Sequence, residues 1–438
     1  MKKLVFALLL ACTLQAAFAQ KPDADIQKAL DKAVAASQDA KKATKAATWA
    51  NLGKAYLTAY YNPTAGVAQV DKPTWAMMCK EKPIAEPVVV EVAGMTYEKY
   101  SYSHMDVYFN AAGQLEFTNV TQPSVPGDLL MEAAKAYSKA FELGAKEKEM
   151  DDKLQEIVRA YSNDGLTAYN LGDLARASRL FAGAYEASIL PPSSEKAVDG
   201  AYNAALTALT SEDYERALHY YQICLDEDYG NNGDPYARVA DVYGKLGNVA
   251  AQKETLEAGF AKYPQNQGIL IGLINYAEAN NEDPNYVLQL LAKAKENEPN
   301  NASIYGVEGN ILAEMKRYEE AEEVFRTACE MDPSYFYGLY AWGKMWYDRA
   351  VEFQVAADEL PLTAPQREYD AIIKNRDEAI AKCVEPLEKC FNSCPDVAYK
   401  VACAEYLRRA YYQMSNSTND FKAKSDFYKT YVEENGQQ

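Results

Sequence analysis

Only two histidines occur in the 438 residues, and neither has a companion at metal-ligand or triad spacing. A general base acting on a nucleophile, or a zinc ion, needs side chains that converge on the imidazole. His104, in YSYSHMDVY with Asp106 two residues on, reads as a surface strand residue, and His219, in RALHYYQICL, as a partly exposed helix position. The stretch DEDYGNNGD from Asp226 to Asp234 resembles a calcium loop at first sight. That loop wants Asp or Asn, Gly and Glu at its fifth, sixth and twelfth places, where Gly230, Asn231 and Ala237 stand instead. It reads as a turn in which Gly and Asn supply positive backbone dihedrals. No phosphate-cradling glycine loop and no serine elbow is present. Carboxylates alone could serve an enzyme, but here they are scattered over helix surfaces and read as solvated faces. The expectation is therefore a non-enzyme with no catalytic residue, no cofactor and no metal.

What remains is surface chemistry. A formal charge of -18 works against a nucleic-acid backbone or an anionic lipid surface as partner. The 34 tyrosines offer flat apolar bodies with hydroxyl tips, suited to anchoring a peptide or stacking on a sugar, although many must simply fill helix interfaces. Of the eight cysteines, Cys224, Cys329 and Cys390 fall where a small buried residue is wanted. Cys390, Cys394 and Cys403 straddle the turn before Pro395. A bridge from Cys403 to Cys390 or Cys394 would form only if the alpha carbons come within about 7 Å; three free buried thiols is the other reading.

The elements that position these residues follow from periodicity. Residues 1–19, MKKLVFALLLACTLQAAFA, read as a signal peptide with Ala17-Phe18-Ala19 as cleavage site. Leu9, Leu10, Ala11 and Cys12 loosely resemble a lipoprotein box, and ordinary cleavage is the favoured reading. Later apolar runs fall short of the roughly 18 to 20 residues that cross a bilayer. The expected location is outside the cytoplasm, most readily a bacterial periplasm, with association to an outer membrane or the exterior as variants.

A residue pattern then recurs. WANLGKAY contains Trp49, Leu52, Gly53 and Tyr56, and a second segment runs Gly309, Leu312, Ala321, Phe325, Ala328, Pro333. The equivalents of Gly53 are Gly165, Ala205, Ala240, Leu273, Gly309 and Gly343, each where paired helices approach closely. This pattern resembles the tetratricopeptide-repeat (TPR) family, whose helix-turn-helix units stack because none buries its apolar face alone. The resemblance implies an all-α TPR-type solenoid of about seven repeats plus a C-terminal capping hairpin.

The expected layout places an N-terminal helix at 20–44 and a first repeat at 45–146, split by a β-rich insertion at about 59–127. PVVVEV before Gly94 and HMDVYFNAAGQLEFTNV around an Asn110–Gly113 turn carry the strand pattern. Repeats two to six follow over 147–335. A seventh, extended by roughly 28 residues and broken at Pro361 and Pro365, spans 336–397, and the cap occupies 398–438.

In TPR proteins the first helix of each unit lines a concave groove. Counting from the Gly53 equivalents places Tyr169, Tyr202, Tyr337, Tyr340, Lys344 and Tyr347 there as candidate partner-binding residues. The Lys and Asn clamp that chaperone-binding members use is not carried: its places hold Ala50 and Lys54 in the first repeat, Gly306 and Asn310 in the sixth. The implied function is a protein-protein scaffold or adaptor of the bacterial cell envelope, binding through the groove and the insertion. The alternative is an outer-surface protein that captures a glycan or small ligand on TPR-type helices.

Overall fold

The computed structural model describes residues 20–415 and 419–436. The expected signal peptide, with Cys12, lies outside the described residues. Eighteen α-helices and one small sheet occur among them. The chain divides into two compact units: residues up to 231 together with 238–252, and 232–237 together with 253 onward. Each unit is built of antiparallel helix pairs, the TPR-type α-solenoid architecture.

The first unit begins with α1 (Asp23–Gln38) and α2 (Ala46–Tyr61). The short α3 (Lys72–Met78) and a four-stranded antiparallel meander follow, β1 (Val88–Val92), β2 (Met95–Ser101), β3 (Met105–Phe109) and β4 (Leu115–Val120) in that spatial order. Then come α4 (Leu129–Glu142), α5 (Glu147–Asn170), α6 (Leu174–Ser188), α7 (Val198–Thr210) and α8 (Tyr214–Asp226). The division between units falls within α9 (Asp234–Lys245) and α10 (Val249–Lys262). The second unit continues with α11 (Gln267–Ala279), α12 (Pro284–Asn297), α13 (Ala302–Glu314), α14 (Tyr318–Met331), α15 (Phe336–Asp358), α16 (Gln366–Ser393), α17 (Val397–Met414) and α18 (Asn419–Asn435).

One contact sets the helix pairing. A Cβ added to Gly165 would sit 2.8 Å from the Phe181 ring, and one added to Gly309 would sit 2.6 Å from the Phe325 ring. Glycine is required because the aromatic of the second helix lies directly on the backbone of the first, filling the gap at interior density. In the first repeat the same contact joins Gly53 to Tyr137 at 2.8 Å, so α2 pairs with α4 although the whole sheet intervenes in sequence. In the long α15–α16 hairpin it joins Gly343 to Leu387.

The turn inside each repeat is equally regular. Gly172, Glu212, Gly247, Asn281 and Lys316 all have positive φ, between 51° and 81°. The next residue, Asp173, Asp213, Asn248, Glu282 or Arg317, donates its backbone N–H at 2.9 Å to the carbonyl five residues earlier. This closes the first helix in a left-handed C-cap, a conformation that glycine adopts at no steric cost and that Glu212 and Lys316 hold under strain. Asp173 and Asp213 then cap the second helix, accepting from the N–H of Arg176 and Arg216.

The sheet is covered on both faces. On one, Val107, Phe109, Met105, Leu115 and Tyr102 bury Trp75 of α3, whose indole N–H donates to the Tyr102 hydroxyl at 2.8 Å. On the other, Val92, Tyr97, Tyr108 and Phe117 meet Leu171 beside α5. Arg176 of α6 pins β4 by donating to Asn119 Oδ1 at 3.0 Å. The β3–β4 turn is organised by Asn110, whose side-chain oxygen accepts from the N–H groups of Ala112 and Gln114, each at 3.0 Å.

Candidate functional site

The open surface of the second unit is a concavity of about 810 Å³ lined chiefly by first helices of successive pairs. From α11 come Ile271, Ile274, Asn275 and Glu278; from α13, Val307, Asn310 and Glu314; from α15, Tyr337, Tyr340, Ala341 and Lys344. Tyr399 of α17 closes one end. The cause is local: side chains one turn apart on a first helix share a face, and another face is committed to packing on neighbouring helices, through Gly272 on Leu256, Gly309 on Phe325 and Gly343 on Leu387.

The tyrosines form a ladder at that end. The Tyr399 ring stands edge-on to Tyr337 at 5.1 Å and to Tyr340 at 5.3 Å. Tyr406, one further step along α17, lies 6.1 Å from Tyr340 and 4.9 Å from Tyr347. Edge-to-face packing of this kind holds rings rigidly while leaving their outer faces available. Burial pushes the Tyr340 phenol up, and the neighbouring Tyr406 adds to the shift, so the Tyr340 hydroxyl stays protonated and able to donate a hydrogen bond. Tyr337 is half exposed.

The cations of the site are satisfied. Lys344 Nζ donates to Asp348 at 2.5 Å, and that hydrogen bond raises the lysine's pKa. Glu352 accepts from Arg349 at 2.7 Å, from Lys316 at 3.1 Å and from the Tyr318 hydroxyl at 2.9 Å. Burial raises the Glu352 carboxyl, but these donors together prevail and hold it below its ordinary range.

Of the residues expected in a groove, Tyr337, Tyr340 and Lys344 line the concavity, and Tyr347 on the same helix packs behind it on Tyr406. Tyr169 and Tyr202 belong to the first unit and do not line it. Tyr169 is exposed on the last turn of α5. Tyr202 is half-buried against Tyr221 at 5.7 Å and Tyr229 at 5.0 Å, an interhelical filler. Sequence reasoning missed Tyr399 and Tyr406, having given α17 to a cap. A signal was present, since they stand seven residues apart on one helix face just as Tyr340 and Tyr347 do.

Elsewhere, His104 Nδ1 meets the Gln122 carbonyl oxygen at 2.9 Å and its Nε2 lies 3.4 Å from Asp23, so the ring ties the sheet to α1. His219 is exposed beside Tyr220. Asp228, Gly230, Asn231 and Gly233 all have positive φ, the backbone of a turn. Among the described residues no group of three or more potential ligands could hold a metal ion, and no helix is long and apolar enough to cross a membrane. Cys390, Cys394 and Cys403 are unbridged and buried, with the Cys390 and Cys403 thiols in hydrogen-bonding contact. A further apolar surface lies along the edge strand β1, the segment leading into it and the start of β2, where Met77, Met78, Ile84, Val88, Val89 and Met95 are exposed.

Residues 302–335, which form α13, its turn and α14, match the tetratricopeptide repeat. A search of curated proteins finds no match. Among solved structures the chain is similar to a TPR repeats protein from Bacteroides fragilis, at 18% identity over 62% of this chain and 98% of that one, with a TM-score of 0.30. It is also similar to the C-terminal part of a TPR repeat-containing protein from Cytophaga hutchinsonii, at 11% identity over 61% and 92%, with a TM-score of 0.41. The MamA protein aligns at 14% identity over 45% and 96%, with a TM-score of 0.31. Residues 302–335 are thus one tetratricopeptide-repeat unit, and the close contact of its Gly309 with the Phe325 ring recurs between Gly53 and Tyr137 and between Gly165 and Phe181.

Proposed function

We propose that this chain is a non-enzymatic scaffold that docks a protein partner in the concavity of its second unit, and that it works in the bacterial cell envelope after export. One observation carries the reading. Three successive first helices and α17 turn half-exposed aromatic and aliphatic side chains toward a common hollow, where such groups cost free energy to hydrate and gain by being covered. Rigid tyrosines at the rim are the side chains that anchor interfaces most often. The absence of a converging base and nucleophile among the described residues supports a binding role rather than turnover, and the leader-like residues 1–19 support export.

The test is in-cell crosslinking of the tagged full-length chain followed by mass spectrometry, beside a variant carrying Tyr340→Ala and Tyr399→Ala. Reproducible crosslinks to a defined envelope protein that vanish in the variant are expected. Crosslinks unchanged in the variant, capture of a carbohydrate in place of a protein, or turnover that survives repurification would contradict the reading.

A further inference from the structure

The wall of the concavity is periodic in charge as well as shape. Leu273, Gly309 and Gly343 occupy the same place in three successive first helices. Two residues before each stand Ile271, Val307 and Ala341, an apolar row; five residues after each stand Glu278, Glu314 and Asp348, an acidic row, and all six line the hollow. The rows are parallel because positions seven apart on a helix lie on nearly the same face.

The position that decides the charge is one residue after the reference. In α15 it holds Lys344, which neutralises Asp348 within the same helix. In α11 and α13 it holds Ile274 and Asn310, so neither Glu278 nor Glu314 has a cation beside it there. The other cations of the hollow are spent, Lys316 and Arg349 both on Glu352. Glu278 and Glu314 thus face the hollow without a cationic partner among the described residues. The tyrosine end is therefore neutral and aromatic, and the α11–α13 end is aliphatic with unpaired negative charge.

We propose that the concavity takes a partner segment that is apolar and basic: an apolar or aromatic side chain seated on Tyr337, Tyr340 and Tyr399, with lysine or arginine side chains reaching Glu278 and Glu314. The apolar stems of those cations lie along Ile271, Ile274 and Val307 while their heads meet the carboxylates, as long cationic side chains do on mixed surfaces. An acidic segment is rejected by the same wall, since like charges across an interface oppose association. This inference rests on the docking function proposed above and adds the chemistry of the occupant.

A displayed library of random peptides of about twelve residues, selected on the immobilised full chain, tests it. Selected sequences should favour lysine and arginine over aspartate and glutamate by about fivefold or more, the selectivity two partly exposed ion pairs supply. The bias should disappear with Glu278→Gln and Glu314→Gln together, exposed positions whose isosteric replacement leaves the fold intact by circular dichroism. All enrichment should disappear with Tyr340→Ala and Tyr399→Ala. Enrichment without a charge bias that still needs the tyrosines would overturn the basic occupant and leave the docking function standing. A basic bias that survives both variants would place it elsewhere on an acidic surface and overturn the proposal, and no enrichment at all would overturn both readings.

Discussion

The inserted sheet and the second-unit concavity are the two places where this chain departs from plain helix packing, and they satisfy their side chains in opposite ways. The sheet closes on itself: its central strands are covered on both faces, and the Trp75 indole, His104 and Arg176 all find partners within the first unit. The concavity is left open, its rings edge-packed on one another and two of its carboxylates without a cation. Irregularity of sequence therefore does not mark the open site. The insertion is conspicuous because it breaks the repeat, yet most of it does the work of a small second core, whereas the hollow is made by repeats that look ordinary.

The most severe way to break this comparison is to empty the sheet. Phe109 is fully buried, so Phe109→Ala should cost about 4 kcal/mol locally. Amide exchange should accelerate across residues 88–120 while α13–α17 keep their protection and the hollow keeps its ligand. Loss of binding in this variant would show that the two regions are coupled after all. In the second unit, Gly309→Val forces a side chain into the Phe325 ring and should destabilise by about 3 kcal/mol. Tryptophan emission in urea should follow it through Trp342 and Trp346, which are buried in that unit's core.

Much of this was legible beforehand. The repeat register gave the helix pairing even where the sheet separates Gly53 from Tyr137, because the close approach of paired helices leaves small or apolar residues at fixed places in the letters. The strands around Asn110 and Gly113 were legible from alternation, but β2 and α3 were not: MTYEKYS shows no clean alternation, and α3 has only seven residues. The left-handed turn closing each first helix was hidden at Glu212 and Lys316, where tertiary packing holds an unfavourable residue in place. The candidate site was half legible. Counting from the register located Tyr337, Tyr340 and Lys344, while Tyr202 has the right position and a different fate because Tyr221 and Tyr229 cover it.

Tyr340→Ala should sharpen the comparison from the open side. It costs about 1–2 kcal/mol in stability yet removes the partner's anchor, so a pull-down should fail while the unfolding curve barely moves. A larger loss of stability than of binding would make Tyr340 a core residue.

Two carboxylates held by tyrosine hydroxyls give the units opposite responses to acid. Asp164 in the first unit accepts from Tyr60 at 2.9 Å, but burial outweighs that bond and raises its pKa. Its contribution is fully present below the unfolded pKa and is lost as pH rises through the folded one. Burial also raises Glu388 in the second unit, but donation from Tyr411 at 2.7 Å and Lys424 at 3.0 Å prevails and lowers it overall. Its contribution is present above the unfolded pKa and lost as pH falls through the folded one. Denaturation at pH 7 and pH 3 should therefore show Asp164→Asn more favourable at pH 7 than at pH 3 and Glu388→Gln more costly at pH 7 than at pH 3. The smallest effect belongs to the repeat turn, where Glu212→Gly relieves a positive φ and should stabilise by about 0.5–1 kcal/mol in thermal unfolding.

The most direct test sets the two regions against each other in the cell, with a photoreactive residue placed at Tyr337 in one chain and at Val89 of the edge strand in another. The account predicts a discrete crosslinked protein from Tyr337 and none from Val89. A discrete product from Val89 with none from Tyr337 would contradict it and move the docking surface to the sheet.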